Sequence, residues 1–295
     1  MKKTVIITGA TSGLGLKTAQ KIAQHSKNFH LILPCRTSEK VDEIRTQLIQ
    51  KTGNPNIDMA TVDVSSLQSV RAFVKEYKQR FNQPIDALLC NAGISGFGRT
   101  QKELTDEGFD IVFATNYLGH FLLTNLLLPL MAENGKIIAT ASDMHNPILK
   151  EGETFEWLGT EALAHPDDKM AVNPLRYSYS KLCDIYFVYE LGRRLKEQNS
   201  TITANAFNPG LMKTHLVKGT NEDFYEFIRK NMPERYGDVD HSSSALAELV
   251  YNEDIIYTSG HFYDRSIRPS FTSELSYNKE NAKELWEKSA EYCGL

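Results

Sequence analysis

The fold of this chain is decided by the stretch Val5-Ile6-Ile7-Thr8-Gly9-Ala10-Thr11-Ser12-Gly13-Leu14-Gly15. Its three apolar residues predict a buried strand, and the pattern of residues 15–24 predicts a helix directly after the glycines. Glycines between a strand and a helix let the backbone approach a pyrophosphate, and the amino end of the helix supplies N–H donors. The stretch therefore predicts a dinucleotide-binding unit, for which an ordinary tight turn is the alternative.

Short apolar runs alternate with longer amphipathic runs along the rest of the chain. The apolar runs predict strands at 5–7, 30–33, 59–62, 87–90, 136–139 and 202–207, and the amphipathic runs predict helices at 15–24, 38–50, 67–81, 106–131 and 177–198. Such alternation is typical of a parallel sheet with right-handed crossovers. We therefore expect an α/β fold with a Rossmann-type, doubly wound parallel sheet of about seven strands and helices on both faces. The even spacing predicts a single domain over residues 1–295.

Two long stretches, 143–176 and 211–240, interrupt this rhythm after the fifth and sixth predicted strands. Ligands bind in open α/β sheets beyond the carboxyl ends of the strands, and long irregular segments there are usually functional. Because both stretches are rich in apolar residues, we expect them to cover a mostly apolar substrate. The alternative is that these residues anchor the stretches to the domain or form a subunit interface. Residues 221–230 form an amphipathic run that predicts a lid helix.

The composition disfavours several classes of protein. With 41% hydrophobic and 24% charged residues in 295, it is typical of a soluble globular protein, and the net charge of −4 disfavours nucleic-acid binding. Since the four cysteines form no CxxC pair and the eight histidines no HxxxH pattern, we expect no metal site. Reduced thiols and the absence of a targeting segment favour a cytoplasmic protein. The longest apolar stretch, 121–131, is too short for a membrane span.

Arg36 follows the second predicted strand, at the place where NAD-binding folds carry an acid that binds the ribose 2′-hydroxyl. A guanidinium there would pair with a 2′-phosphate, so NADP(H) is favoured over NAD(H). The alternative is that Arg36 is a solvated charge and that Glu39 reaches the ribose.

The chain resembles the short-chain dehydrogenases/reductases over essentially its whole length, because several motifs of that family occur in order. They are the TGxxxGxG loop from Thr8, a CNAG motif from Cys90 in place of NNAG, a YxxxK motif from Tyr177, and Asn208-Pro209-Gly210. The branch it resembles most contains the retinol dehydrogenases and the light-dependent protochlorophyllide reductases. The shared runs include Pro34-Cys35-Arg36 and Asn116-Tyr117-Leu118-Gly119-His120-Phe121.

The resemblance implies a cofactor site and a catalytic group. The implied cofactor contacts are Gly9, Thr11, Ser12, Gly13, Leu14, Gly15, Arg36, Asp63, Val64, Asn91, Ala92, Gly93, Tyr177, Lys181, Pro209, Gly210 and Thr214. The implied catalytic residues are Asn116, Ser142, Tyr177 and Lys181, with Asn116 holding a water behind Lys181. Of the histidines, we expect His120 to pack within its helix and His145 and His215 to lie at the surface.

The spacing of Tyr177 and Lys181 places both side chains on one helical face. A tyrosine with a pKa near 10 is a poor acid or base at neutral pH, but a nearby ammonium and a positively charged nicotinamide lower its pKa. Ser142 would hydrogen-bond the substrate oxygen.

We therefore expect an NADP(H)-dependent oxidoreductase that interconverts a carbonyl and an alcohol on a mostly apolar small molecule by hydride transfer, with Tyr177 as general acid and base. A C=C reductase of the protochlorophyllide type is an alternative. A non-catalytic NADP(H)-binding sensor is another, which the retained Ser142, Tyr177 and Lys181 disfavour. The predicted helices 106–131 and 177–198 form dimer faces in many members of the family, so a homodimer stays open.

Overall fold

Parallel strands form the centre of the computed structural model, which describes residues 2–36, 41–96, 99–149, 151–213, 216, 222–253 and 258–295. The strands are β1 (Lys3–Ile7), β2 (Phe29–Cys35), β3 (Ile57–Thr61), β4 (Ile85–Cys90), β5 (Met131–Thr140), β6 (Thr203–Asn208), β7 (Phe262–Asp264) and β8 (Pro269–Ser270). Their order in the sheet is β3-β2-β1-β4-β5-β6-β7-β8. Neighbouring strands from β3 to β7 pair in parallel, and the two-residue β8 pairs antiparallel with β7.

Helices cover both faces of this sheet. They are α1 (Gly13–His25), α2 (Val41–Thr52), α3 (Leu67–Arg80), α4 (Ile111–Phe113), α5 (Gly119–Leu127), α6 (Thr160–Ala164), α7 (Asp168–Ala171), α8 (Arg176–Glu197), α9 (Glu222–Asn231), α10 (Val239–Tyr251) and α11 (Lys279–Cys293). Alternate residues of each strand point to opposite faces, so Val5 and Ile7 pack with α1 and α10 while Ile6 packs with α3, α5 and α8. The structure thus confirms the predicted doubly wound Rossmann-type fold.

One long helical run differs from its predicted bounds. It begins at Ile111 rather than at residue 106, because the carboxylate of Asp110 accepts hydrogen bonds from the N–H groups of Val112 and Phe113 and caps the helix there. A π-helical turn (Ala114–Leu118) joins α4 to α5. β5 begins directly after the run, at Met131, where it pairs with Ile85 of β4.

This run, Ile111–Leu130, is longer than the apolar stretch we had identified, and its length and composition are sufficient to cross a membrane. However, 78% of its apolar window is buried inside the protein. Its large side chains belong to the core that covers one face of the sheet, as Phe121 and Leu122 do. The run therefore serves as a core helix in this structure.

The apolar residues of the first irregular stretch anchor it to the fold. The ring of Phe155 stacks on that of Tyr179 with a centroid distance of 4.4 Å. The indole N–H of Trp157 donates to Glu284 of α11 at 3.0 Å, and its ring meets the ring of Tyr186 edge-on. For Phe155 and Trp157 the anchoring alternative therefore holds.

The second irregular stretch contains the predicted amphipathic helix. It is present as α9, with Tyr225 and Ile228 buried and Phe227 exposed, while residue 221 lies outside the described part of the chain. Its function as a lid stays a prediction.

A buried ion pair holds the start of α4 against the start of α8. The carboxylate Oδ2 of Asp110 lies 3.3 Å from Nη1 of Arg176, and these side chains are only 4% and 3% exposed. The same Nη1 also donates to the carbonyl of Ala171. Because the next residue is Tyr177, this pair fixes the first turn of α8.

We expect Asp110→Ala to destabilise the protein by about 3–5 kcal/mol, since it leaves the Arg176 charge buried without its partner and removes a helix cap. Urea unfolding followed by circular dichroism measures the change. The control is Asp106→Ala, which alters an exposed aspartate of the same segment and should cost less than about 0.5 kcal/mol. Equal losses in the two variants would contradict the assignment.

Candidate active site

The glycine loop packs so tightly against the end of β4 that side chains do not fit. Gly9 has φ +67°, and a Cβ added there would lie 2.8 Å from Cα of Ala92. A Cβ on Gly15 would lie 2.5 Å from Nδ2 of Asn91. The loop therefore leaves the amino end of α1 uncovered by side chains at these two positions, as close approach of a pyrophosphate requires.

The hydroxyl of Thr8 joins the ends of β1 and β4. Its Oγ1 accepts hydrogen bonds from the backbone N–H groups of Asn91 at 2.9 Å and Ala92 at 3.0 Å. The amide Nδ2 of Asn91 in turn donates to the carbonyl of Thr8 at 2.9 Å. These two strands flank the point where the strand order reverses, which is where open α/β sheets bind dinucleotides.

His120 connects this junction to the π-helical turn. Its Nδ1 donates to the carbonyl of Asn116 at 3.1 Å, and its Nε2 lies 2.9 Å from Oγ1 of Thr8. Burial lowers the pKa of His120 to about 4, so the ring is neutral at pH 7. Because a carbonyl can only accept, the proton lies on Nδ1 and Nε2 accepts from Thr8. His120 thus bridges two parts of the site rather than only packing within its helix.

Most of the predicted cofactor residues lie along one edge of the sheet. They follow the carboxyl ends of the strands: Gly9, Thr11, Ser12, Gly13, Leu14 and Gly15 after β1, Arg36 after β2, Asp63 and Val64 after β3, Asn91, Ala92 and Gly93 after β4, and Pro209 and Gly210 after β6. Arg36 is exposed. Thr214 and His215 lie outside the described residues. The bare glycine loop, the helix N-terminus and this row of residues fit a bound dinucleotide.

Asn116 holds the π-helical turn to two other elements. Its Oδ1 accepts from the N–H of Ile94 at 2.8 Å, and its Nδ2 donates to Oγ of Ser180 in α8 at 2.9 Å. The turn also lies close to the end of β3, because a Cβ on Gly119 would meet the carbonyl of Val64 at 1.7 Å. Asn116 therefore ties β4 to α8; its predicted role in holding a water stays a prediction.

The structure brings Ser142, Tyr177 and Lys181 together. Ser142 is near enough to Tyr177 to lower its pKa slightly, and Nζ of Lys181 lies 5.7 Å from the centroid of the Tyr177 ring. The ammonium donates to the carbonyl of Thr140 at 2.7 Å and to Oδ2 of Asp184 at 2.9 Å. The end of β5 and the first turns of α8 thus form one constellation.

The net effect on the pKa of Tyr177 is opposite to our expectation. Burial raises this pKa, the Lys181 ammonium lowers it, and the carboxylates of Asp184 and Asp143 raise it again. The result lies above the usual value of a tyrosine. The expected effect of Lys181 is present, but burial and the two carboxylates, which sequence analysis did not consider, outweigh it.

Two polar residues near Ser142 differ from the sequence-based predictions: Asp143 was not among the predicted site residues, and His145 was expected at the surface. Asp143 accepts a hydrogen bond from Oγ of Ser142 at 3.1 Å and lies 3.7 Å from Nη1 of Arg235, so it links the two irregular stretches. His145 is buried, not at the surface as expected. Its Nδ1 donates to the carbonyl of Ser142 at 2.7 Å, and its Nε2 accepts from the N–H of Ser273 at 3.0 Å.

The spacing of residues 177, 181 and 184 indicates a further residue of the site that the YxxxK motif does not include. Positions i, i+4 and i+7 lie on one helical face, so an aspartate at 184 belongs to the face that carries Tyr177 and Lys181. Within the described residues, no group of three or more histidines, cysteines or acids could hold a metal ion.

Comparisons with known proteins agree with this geometry. The family model of the short chain dehydrogenases matches residues 3–148. Mouse retinol dehydrogenase 13 is 32% identical over 99% of this chain and 84% of its own length, and human polyprenol dehydrogenase is 26% identical over 99% and 86%. The crystal structure of an uncharacterised protein from Mycobacterium paratuberculosis superposes with a TM-score of 0.74, at 26% identity, over 99% of this chain and 93% of that one.

Proposed function

The chain belongs to the short-chain dehydrogenase family, and we propose that it is an NADP(H)-dependent enzyme acting on a mostly apolar carbonyl or alcohol. Membership of the family makes it an oxidoreductase with a nicotinamide cofactor, whose reaction interconverts carbonyls and alcohols. The choice of NADP(H), the substrate class and the role of Tyr177 are parts of the proposal.

The observation that carries the proposal is the clustering of Tyr177 and Lys181 at the end of β5, where Lys181 binds the carbonyl of Thr140, two residues before Ser142. The hydroxyls of Ser142 and Tyr177 would both bind one substrate oxygen, and Tyr177 would deliver its proton to that oxygen. Its raised pKa keeps Tyr177 protonated at neutral pH, which is the form that carbonyl reduction needs. A bound nicotinamide would supply the hydride in that direction and accept it in the other.

The chain's own residues account for the binding of the cofactor. The glycine loop would let the pyrophosphate reach the N–H groups at the start of α1. Lys181 and Tyr177 would both bind the ribose of the nicotinamide. Pro209 and Gly210 would line the nicotinamide end of the cofactor site. Exposed Arg36 would pair with the 2′-phosphate. A cytoplasmic location, a single domain over residues 1–295 and a homodimer also stay predictions.

Two observations support an apolar substrate. Both irregular stretches expose large apolar side chains, with Ile148 62% and Phe227 57% exposed. The relatives named above include a retinol dehydrogenase and a polyprenol dehydrogenase, whose names contain long apolar alcohols. Apolar walls with a few polar groups are the usual lining of small-molecule sites.

We expect Tyr177→Phe to lower kcat by about 10²–10⁴-fold and to leave the Kd for NADPH within about twofold, because only the proton donor is lost. Stopped-flow absorbance and cofactor fluorescence measure the two quantities. The control is Tyr179→Phe, which removes a hydroxyl two residues along the same helix and should keep the parent rate. A Tyr177→Phe variant with more than about a tenth of the parent rate would refute the role.

We expect Arg36→Asp to reduce the ratio of kcat/KM for NADPH to that for NADH by about 10–100-fold, since a charge-assisted phosphate contact becomes a repulsion. Steady-state kinetics with both cofactors give the ratio. Arg268→Asp serves as the control, because Arg268 lies exposed near β8 at the far edge of the sheet. An unchanged ratio in Arg36→Asp would show that another residue binds the 2′-phosphate.

We expect kcat/KM to rise by about fourfold for each methylene that the substrate buries, since each contributes about 0.8 kcal/mol. A series from acetone through aromatic ketones to retinoid- and steroid-sized carbonyls, with hydroxylated analogues as controls, measures the trend in darkness. Best activity on small polar carbonyls would overturn the apolar substrate. A product reduced at a C=C bond, formed when the same series is repeated under light, would indicate the protochlorophyllide-type reaction. NADPH binding without turnover of any member of the series would indicate a sensor.

A further inference from the structure

A buried ion pair lies behind the proposed proton donor, on the inner face of α8. Oδ2 of Asp184 is 2.9 Å from Nζ of Lys181, and these side chains are 4% and 6% exposed. Burying two charges is costly, and a buried pair is seldom a gain in stability over apolar residues of the same size. The position of this pair next to Tyr177 therefore calls for an explanation other than stability.

We propose that Asp184 is a positioning residue of the active site, which fixes the Lys181 ammonium and sets the pH range in which Tyr177 exchanges its proton. This inference rests on the roles proposed above for Tyr177 and Lys181. It adds a residue that neither the YxxxK motif nor the Ser142–Tyr177 contact includes.

The hydrogen bonds of the ammonium show how it is fixed. A lysine ammonium has three N–H donors, and two of them are used by the carbonyl of Thr140 at 2.7 Å and the carboxylate of Asp184 at 2.9 Å. Thr140 is the last residue of β5, two positions before Ser142. The ammonium is therefore held from the sheet and from its own helix, and one donor is left for the cofactor ribose or Tyr177.

Several titratable groups face this pair from the surrounding elements. They are Cys90 of β4, Tyr117 of the π-helical turn, His120 of α5, Cys183 of α8 and Asp143 after β5, with Glu284 of α11 beyond Cys183.

Burial keeps most of these groups uncharged at pH 7. It raises the pKa of Cys90 to about 12 and lowers that of His120 to about 4, and it also raises the pKa of Tyr117 and of Cys183. The charges acting on Tyr177 from these neighbours are therefore those of Lys181, Asp184 and Asp143.

Asp184 opposes the effect of Lys181 on Tyr177. The ammonium favours the tyrosinate and lowers the pKa of Tyr177, while the carboxylate behind it raises this pKa. Burial lowers the pKa of Lys181 and Asp184 raises it, so the charge of Lys181 depends on its partner. While Lys181 keeps its charge, removing the charge of Asp184 would leave the ammonium unopposed from behind, and the pKa of Tyr177 would fall. Reduction, which needs the protonated tyrosine, would then decline at lower pH, and oxidation, which needs the tyrosinate, would begin at lower pH.

The test is Asp184→Asn, which keeps the shape of the side chain and an acceptor for Lys181 but removes the charge. We expect the midpoints of the kcat/KM profiles for reduction and for oxidation both to move down by about one pH unit. A direct readout is the tyrosinate absorbance of Tyr177 without turnover, taken as the difference between titrations with and without Tyr177→Phe in each background. It should shift by the same amount.

Two further variants on the same helix serve as controls. Asp184→Glu keeps the negative charge, so the midpoints of both kcat/KM profiles should equal those of the parent enzyme, even if kcat is lower. Glu190→Gln removes another buried carboxylate of α8, which pairs with Arg193 and Arg194 and does not contact Lys181. This variant should leave both midpoints unchanged, whatever its effect on stability.

A lysine left buried without its partner is strongly destabilising, so Asp184→Asn could fail to fold. In that case Asp184→Ser, which makes space for a water that accepts from Lys181, should show the same downward shift. Unchanged or raised midpoints in a folded, charge-removing variant overturn the proposal; raised midpoints would show that the variant had lost the charge of Lys181 instead. If Tyr177→Phe is inactive while those midpoints stay unchanged, the proposed function stands and only the role of Asp184 is refuted; an active Tyr177→Phe refutes both.

Discussion

The contact between the ends of β1 and β4 is the constraint on which the rest of the site depends. The hydroxyl of Thr8 accepts hydrogen bonds from the backbone N–H groups of the two residues that follow β4, and it donates to Nε2 of His120. Nδ1 of His120 in turn donates to the carbonyl of Asn116. A hydroxyl is suited to this position because it accepts and donates at once. The cofactor loop, the π-helical turn and, through the Asn116 side chain, α8 are thereby fixed to one another.

The position of α8 transmits this constraint to Tyr177, the proposed proton donor. At its first turn the buried pair of Arg176 and Asp110 holds it to α4. One turn later Lys181, which Asp184 binds from the same helix, holds it to the carbonyl of Thr140 at the end of β5. Tyr177 lies between Arg176 and Lys181 along α8, so the helix is held at positions on both sides of it. A general acid needs such rigid placement, because proton transfer requires the donor to lie within hydrogen-bond reach.

The sheet could be predicted from the sequence because short runs in its strands, such as Val5-Ile6-Ile7 in β1 and Ile137-Ile138-Ala139 in β5, are apolar and buried between the helices on both faces. β7 and β8 were missed because three and two residues are too short for any periodicity. The residues at the strand ends could be predicted because parallel strands bring their carboxyl ends to one edge. The pKa of Tyr177 could not, because it depends on burial and on Asp143, which only the tertiary structure brings beside it, as well as on Asp184 of the same helical face.

The two irregular stretches combine rigid and exposed parts, and this division bears on specificity. Trp157 and Thr160 are bound to Glu284, so the middle of the first stretch is fixed to α11. Its start meets the second stretch through Asp143 and Arg235, directly beside Ser142. A charged pair at this point makes the immediate surroundings of the reacting oxygen polar, while the exposed apolar side chains lie farther along both stretches. A substrate of the proposed class would suit both parts if its oxygen lay at one end and its apolar body at the other.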